Sequence, residues 1–209
     1  MEKEIIIALK KVNLYGFLAV PENAKGIVLF SHGSGSSRYS VRNNQVADFL
    51  RKNGLATLLF DLLTIEEDKI YENRFDISLL TKRLIAVTRW LKNRDDTKDL
   101  LPGYFGSSTG AASALRAAAK MGEEIRAVVS RGGRPDLAEE DLSAVTAPTL
   151  LIVGGEDLAV ITLNEIALKE LTCEKELKII PGATHLFEEP GKLEEVSQLA
   201  LDWFQRNLR

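Results

Sequence analysis

Cysteine is nearly absent: Cys173 is the only one in 209 residues, so no internal disulfide can form. With two histidines beside that one cysteine, the usual zinc ligand sets are out of reach, and no metal or other cofactor is expected. A chain without disulfides suits a reducing compartment, and a cytoplasmic location is expected. An excess of one charge sign is also missing. The 27 Lys and Arg residues face 30 Asp and Glu for a net charge of -3, which leaves no basic stripe to attract nucleic acid or an anionic bilayer. No apolar run approaches the roughly 20 residues of a membrane span. The start, Met-Glu-Lys-Glu before three isoleucines, lacks the cationic region, apolar stretch and cleavage site of a secretory signal. The expectation is a soluble, unexported protein whose partner is a small molecule.

What is present is a 45% apolar composition without repeats or low-complexity tracts, read as one domain over residues 1–209. Runs rich in Val, Ile and Leu at 4–9, 14–20, 27–31, 55–61, 100–107, 126–130, 149–153 and 177–181 predict about eight strands. Amphipathic stretches at 43–53, 76–93, 109–121, 162–171 and 193–207 predict helices between and after them. This alternation is the pattern of a mostly parallel sheet flanked by helices. The first two strands are separated by only residues 10–13, short enough for an antiparallel hairpin.

Gly106-Ser107-Ser108-Thr109-Gly110 matches Gly-x-Ser-x-Gly where a predicted strand meets a predicted helix, the setting of a nucleophile elbow. The motif alone arises by chance in roughly one chain in fifteen of this length, from average Gly and Ser frequencies. Its context and its downstream partners therefore carry the argument. A serine hydroxyl needs an adjacent base for acyl transfer near neutral pH. Of the two histidines, His185 follows the last predicted strand, whereas His32 precedes the nucleophile; the chain order Ser, acid, His selects His185. The acid is expected in the loop after the preceding strand, where Asp157 is favoured and Glu156 stands beside it, spacing alone not separating the two.

The loop Ser31-His-Gly-Ser-Gly-Ser-Ser-Arg follows another buried strand and can turn backbone N–H groups toward a developing oxyanion; Ser34 and Thr109 are assigned as the donors. It lacks the Gly-Lys-Ser/Thr ending of a phosphate-cradling loop. His32 is read as holding this loop's shape. Arg38, Arg42, Arg131 and Arg134 all follow strands on the same side of the sheet, so they could meet an anionic substrate group; solvated surface charge is the plainer reading.

The segments Ser31-His-Gly-Ser-Gly-Ser-Ser-Arg, Gly103-Tyr-Phe-Gly-Ser-Ser-Thr-Gly-Ala-Ala, Ser130-Arg-Gly-Gly-Arg-Pro-Asp, Gly154-Gly-Glu-Asp and Pro181-Gly-Ala-Thr-His-Leu-Phe-Glu-Glu-Pro-Gly together resemble the small dienelactone-hydrolase-like branch of the α/β-hydrolase superfamily. The resemblance spans nearly the whole chain. It implies an α/β-hydrolase fold with an eight-stranded sheet whose second strand is antiparallel, a triad of Ser108, Asp157 and His185, and cofactor-free ester or thioester hydrolysis. True dienelactone hydrolases use a cysteine nucleophile, and the serine here moves the expectation from lactones toward simple esters. Related sequences occur beside phosphoribosyltransferase domains. The short stretch between residues 130 and 149 leaves no room for a sizeable lid, so an open cleft and small acyl groups are expected. A non-catalytic protein retaining the fold, and a lactonase of the dienelactone type, are the rival readings.

Overall fold

The computed structural model describes residues 2–209. Its strands are β1 (Glu2–Ala8), β2 (Asn13–Ala19), β3 (Gly26–Ser31), β4 (Ala56–Phe60), β5 (Leu101–Ser107), β6 (Ala127–Arg131), β7 (Thr149–Gly154) and β8 (Lys175–Ile180). They join one sheet in the order β1-β2-β4-β3-β5-β6-β7-β8. The β1–β2 hairpin is antiparallel, as is β2 against β4, and every pairing from β4 onward is parallel. The second strand is therefore the reversed one, as the resemblance implied.

Among the described residues six α-helices cover the sheet: α1 (Val41–Lys52), α2 (Ile65–Asp68), α3 (Ile77–Leu91), α4 (Thr109–Met121), α5 (Leu158–Glu170) and α6 (Lys192–Asn207). Strand residues alternate between two apolar layers, as the two-residue period of a strand requires. Ile27 and Leu29 of β3 join the layer under α3 and α4, while Val28 and Phe30 join the layer under α1 and α6. Because the central strands are covered on both faces, they read as unbroken apolar runs. α3 buries Ile77, Leu80, Leu84, Val87 and Leu91, the stripe its spacing of three and four predicts. α4 buries most of its length, and its alanines let it lie close against β5.

Element bounds depart from the sequence-based expectation by a few residues, most at α5, which begins at Leu158 directly after the loop carrying Asp157. The short α2 and the 3-10 turns Tyr71–Phe75 and Pro135–Ala144 were not anticipated. α2 carries a capping box in which Thr64 Oγ1 accepts from Glu67 N–H and the Glu67 carboxylate accepts from Thr64 N–H. Four residues are too few for a periodic signal. Between β6 and β7 the chain forms only the 3-10 stretch, with Ala138 and Leu142 buried, so no sizeable lid is present. Among the described residues no helix is long and apolar enough to cross a membrane.

Candidate active site

Ser108 joins β5 to α4 with φ 51° and ψ -122°, a left-handed backbone uncommon for a residue with a Cβ. Such strain costs about 1–3 kcal/mol and persists only where its surroundings overdetermine it. Here they do. A Cβ on Gly106 would lie 2.5 Å from Ala111 Cα, and one on Gly110 would lie 2.1 Å from the Ser31 carbonyl oxygen. Both outer positions of the motif are thus places where backbone meets backbone. Ser108 N–H donates to the Arg131 carbonyl at 3.2 Å, and Ser108 carbonyl accepts from Ala111 and Arg134 N–H, each at 3.1 Å. Although Ser108 stands at the helix N-cap, its side chain caps nothing, which leaves the hydroxyl available.

His185 and Asp157 come from neighbouring loops at the same edge of the sheet. Gly155 N–H donates to Ile180 carbonyl at 2.8 Å and Glu156 N–H to Ala183 carbonyl at 3.0 Å, which ties the two loops together. His185 Nδ1 then lies 2.6 Å from Asp157 Oδ2. Asp157 occupies the N-cap position of α5 without capping it, its carboxylate being directed at the imidazole instead. Glu156 makes no such contact, so geometry separates two carboxylates that spacing left open. Glu189 accepts from Thr184 N–H at 3.2 Å through both carboxylate oxygens and braces the His185 loop.

Ser108 and His185 line one cavity of about 170 Å³, together with Gly33, Ser34, Asn43, Ser107 and Arg131. Among the described residues no hydrogen bond joins Ser108 Oγ to His185. Asn43, unremarked in the sequence, is buried on α1, where its Oδ1 accepts from Ser107 Oγ at 3.0 Å. A polar residue on the buried face of a predicted helix was the available signal.

The loop after β3 behaves partly as expected. His32 is buried with both ring nitrogens engaged: Nδ1 donates to Gly33 carbonyl at 3.0 Å and Nε2 accepts from Leu62 N–H at 3.1 Å. Burial holds its pKa below the ordinary histidine range, against the opposing pull of the Gly33 carbonyl, Asp61 and Asp68. It is a neutral pin between the loop and the end of β4. Ser34 and Thr109, the two residues assigned to the oxyanion, meet directly, because Ser34 N–H donates to Thr109 Oγ1 at 2.8 Å. The Ser34 donor is therefore engaged in the free site. Thr109 is the first residue of α4, where N–H groups have no acceptor within the helix.

The arginines divide. Arg38 does not line the Ser108 cavity; its guanidinium pairs with Asp61 and with Glu4 at 3.2 Å, and packs 4.4 Å from the Tyr39 ring centroid. It borders a separate cavity of about 450 Å³ with His32 and Asp61. Arg134 does not line the Ser108 cavity either, being held by Asp136 through two bonds of 2.9 and 2.7 Å. An acid two residues away in sequence satisfies it. Arg131 does line the Ser108 cavity, as does Arg42, whose Nη1 is 2.6 Å from Glu188 Oε1.

A mostly parallel eight-stranded sheet with its reversed second strand, and a serine on a strained strand-to-helix elbow at the strands' C-terminal edge, define an α/β-hydrolase fold. The chain belongs to the dienelactone hydrolase family, whose model matches residues 14–208. It is similar to the crystal structure of a dienelactone hydrolase from Anabaena variabilis, with 56% identity and a TM-score of 0.97 over 100% of this chain and 99% of that one. An α/β serine hydrolase without a lid from Xanthomonas campestris shares the fold at 20% identity, with a TM-score of 0.79 over 98% of this chain and 94% of that one. Two Mycobacterium tuberculosis proteins, provisionally named phosphoribosyl transferases, are 56% identical over 203 residues. That match covers 97% of this chain but 46% of theirs, so the chain spans about half the length of these relatives.

Proposed function

We propose that this protein is a serine hydrolase that cleaves small carboxylic esters or thioesters through an acyl-enzyme. The observation that carries the reading is one juxtaposition. A serine with a free hydroxyl on a strained elbow shares a cavity with a histidine whose far nitrogen is 2.6 Å from a carboxylate. In this mechanism His185 Nε2 takes the proton as Ser108 Oγ attacks the carbonyl carbon, and Asp157 holds the tautomer and stabilises the imidazolium. The Ser108 to His185 hydrogen bond forms with substrate in place, as is common for bonds loose in a free enzyme. Thr109 N–H receives the oxyanion, and Ser34 N–H joins it when the Thr109 hydroxyl turns away. His185 then protonates the leaving alcohol or thiol, and water, deprotonated by His185, releases the acid.

A cavity of about 170 Å³ without a lid favours acetate and butyrate esters over long acyl chains. No cofactor enters the scheme, and a cytoplasmic setting suits a chain whose one cysteine is unpaired. The transferase name of the mycobacterial relatives describes proteins of which this chain spans 46%. The test is turnover of 4-nitrophenyl butyrate together with fluorophosphonate labelling. Ser108→Ala should abolish labelling and lower kcat by about 10⁴-fold or more. Undiminished turnover by a clean preparation of that variant would sink the assignment, and failure of the wild type to label would favour a non-catalytic protein.

A further inference from the structure

The turn Gly132-Gly133-Arg134 after β6 contributes no reacting group, yet its backbone touches Ser108 and His185, and its anchor reaches the helix that Asp157 begins. Just before it the Arg131 carbonyl accepts from Ser108 N–H, and at its end Arg134 N–H donates to the Ser108 carbonyl, so the elbow is gripped from both sides. Gly132 has φ 51°, and a Cβ there would lie 3.2 Å from the His185 carbonyl oxygen and 3.4 Å from both Nδ1 and Cε1 of its ring. A glycine lets the imidazole lie this close. The ring nitrogen it approaches is the one that meets Asp157.

One side chain ties this turn to α5. Asn164 is fully buried on that helix, seven residues beyond Asp157 at its N-cap. Seven residues make nearly two full turns, which returns Asn164 to the face of α5 that its N-cap occupies. Asn164 Nδ2 donates to the Gly133 carbonyl at 3.0 Å and to the Val160 carbonyl at 2.8 Å. Because both partners are acceptors, the orientation of the amide is fixed. Among the described residues the bond to Gly133 is the only hydrogen bond between α5 and the turn. It comes at a cost, since Asn164 Oδ1 is enclosed without a partner. Packing alone does not call for an amide here: leucine has the same branching and no oxygen to leave unpaired.

We propose that Asn164 is a positioning residue of the active site, holding α5 and the Asp157 carboxylate at its start in place against the turn that grips Ser108 and lies beside His185. The inference rests on reading Ser108, Asp157 and His185 as the triad. Gly132 N–H also donates to the Ile152 carbonyl at 2.8 Å, but that bond secures the turn to strand β7 and not to the helix. Without the Asn164 bridge, α5 is free to shift against the turn and to carry Asp157 away from its 2.6 Å contact with His185 Nδ1. Misplacing a catalytic group by about 1 Å costs on the order of 100-fold in rate. The loss falls on kcat, because Asn164 does not line the Ser108 cavity and so touches no substrate.

The experiment follows 4-nitrophenyl butyrate hydrolysis, fluorophosphonate labelling and the far-downfield proton resonance of the His185 Nδ1–H bond to Asp157 in the wild type, Asn164→Leu and Asn164→Asp. Asn164→Leu should lower kcat by about 30-fold or more with KM within about twofold, and slow labelling by a similar factor. Its downfield resonance should broaden or move upfield. Asn164→Asp should match Asn164→Leu near about pH 8, where an ionised carboxylate has no proton to donate. Compared with wild type at each pH, it should recover as the pH falls toward about 6 and the protonated carboxyl donates to Gly133. Wild-type kcat and resonance in Asn164→Leu, whether or not its melting temperature falls, would make the residue merely structural and overturn the inference. A resonance present in wild type and lost in Asn164→Leu, in a protein that turns over no ester, would keep the positioning and remove the hydrolase reading. If Asn164→Leu does not fold, Asn164→Ser takes its place. Its shorter side chain keeps the bond to the Val160 carbonyl one turn back and gives up Gly133, so the same loss of kcat is expected, and an unchanged kcat overturns the proposal.

Discussion

Two cavities at the same edge of the sheet both contain an arginine, and they are built on opposite terms. Around Arg38 each charge has its complement. Asp61 and Glu4 pair with the guanidinium, Tyr39 packs on it, and buried His32 is neutral with both nitrogens engaged. Around Ser108 the groups are held in place but not satisfied. Ser108 is strained with its hydroxyl uncommitted, and buried Arg131 has no acidic partner among the described residues. The His185–Asp157 and Arg42–Glu188 pairs are the complete ones among the described residues. A saturated cluster stabilises the fold, whereas groups kept incomplete at a cost are characteristic of places where a ligand supplies what is missing.

The sharpest way to break this comparison is at Asp157. Asp157→Asn should lower kcat by about 10⁴-fold, because the wrong imidazole tautomer would face the serine, while thermal stability changes little. A melting temperature that falls with activity would make Asp157 a structural residue and blur the distinction. Next is the elbow: Gly110→Ala should cost about 3 kcal/mol or more in chemical denaturation, since the new methyl would collide with the Ser31 carbonyl. A mild effect would mean that the strand-to-helix junction is looser than its contacts.

The two arginines give a more direct contrast. Arg38→Met leaves Asp61 without its partner and should destabilise by about 2 kcal/mol, both side chains being largely buried. Arg131→Met removes an unpaired cation facing another cation and should leave stability unchanged or raise it by about 1 kcal/mol. Equal destabilisation in matched urea melts would show that Arg131 has a counter-ion after all.

The smallest effect concerns His32. Its folded pKa is below the unfolded value of about 6.5, so below that pH the unfolded chain binds the proton more readily than the folded one. The stability from neutral His32 is thus fully present above pH 6.5 and is lost as pH falls toward the folded pKa. The non-titrating variant His32→Gln should flatten that slope; melts of both proteins from pH 7.5 to 5 decide it.

Much of the fold was legible because it depends on local periodicity. The apolar runs of the buried strands and the stripe from Ile77 to Leu91 announce themselves. α2 was not legible, since a four-residue helix rests on its capping box and not on a repeat. The candidate site was legible where a local constraint marked it. Gly106 and Gly110 flank Ser108 because no side chain fits there, and the order Ser108, Asp157, His185 follows the order of strands. Arg38, Arg131 and Arg134 were indistinguishable, each being an arginine in or near a loop after a strand. The engagement of Ser34 with Thr109, 75 residues apart, had no local signal at all.

The sequence by itself therefore determined the alternation of strands and helices, the serine elbow and the set of candidate partners, since each rests on spacing along the chain or on the size of one residue. The tertiary structure alone decided which carboxylate meets His185, which arginines are neutralised by Asp61 and Asp136, and that Arg131 is left charged and unpaired beside Ser108. The physical reason is that electrostatic pairing acts over a few ångströms in space. The loops that bring those groups together converge only when eight strands align their ends.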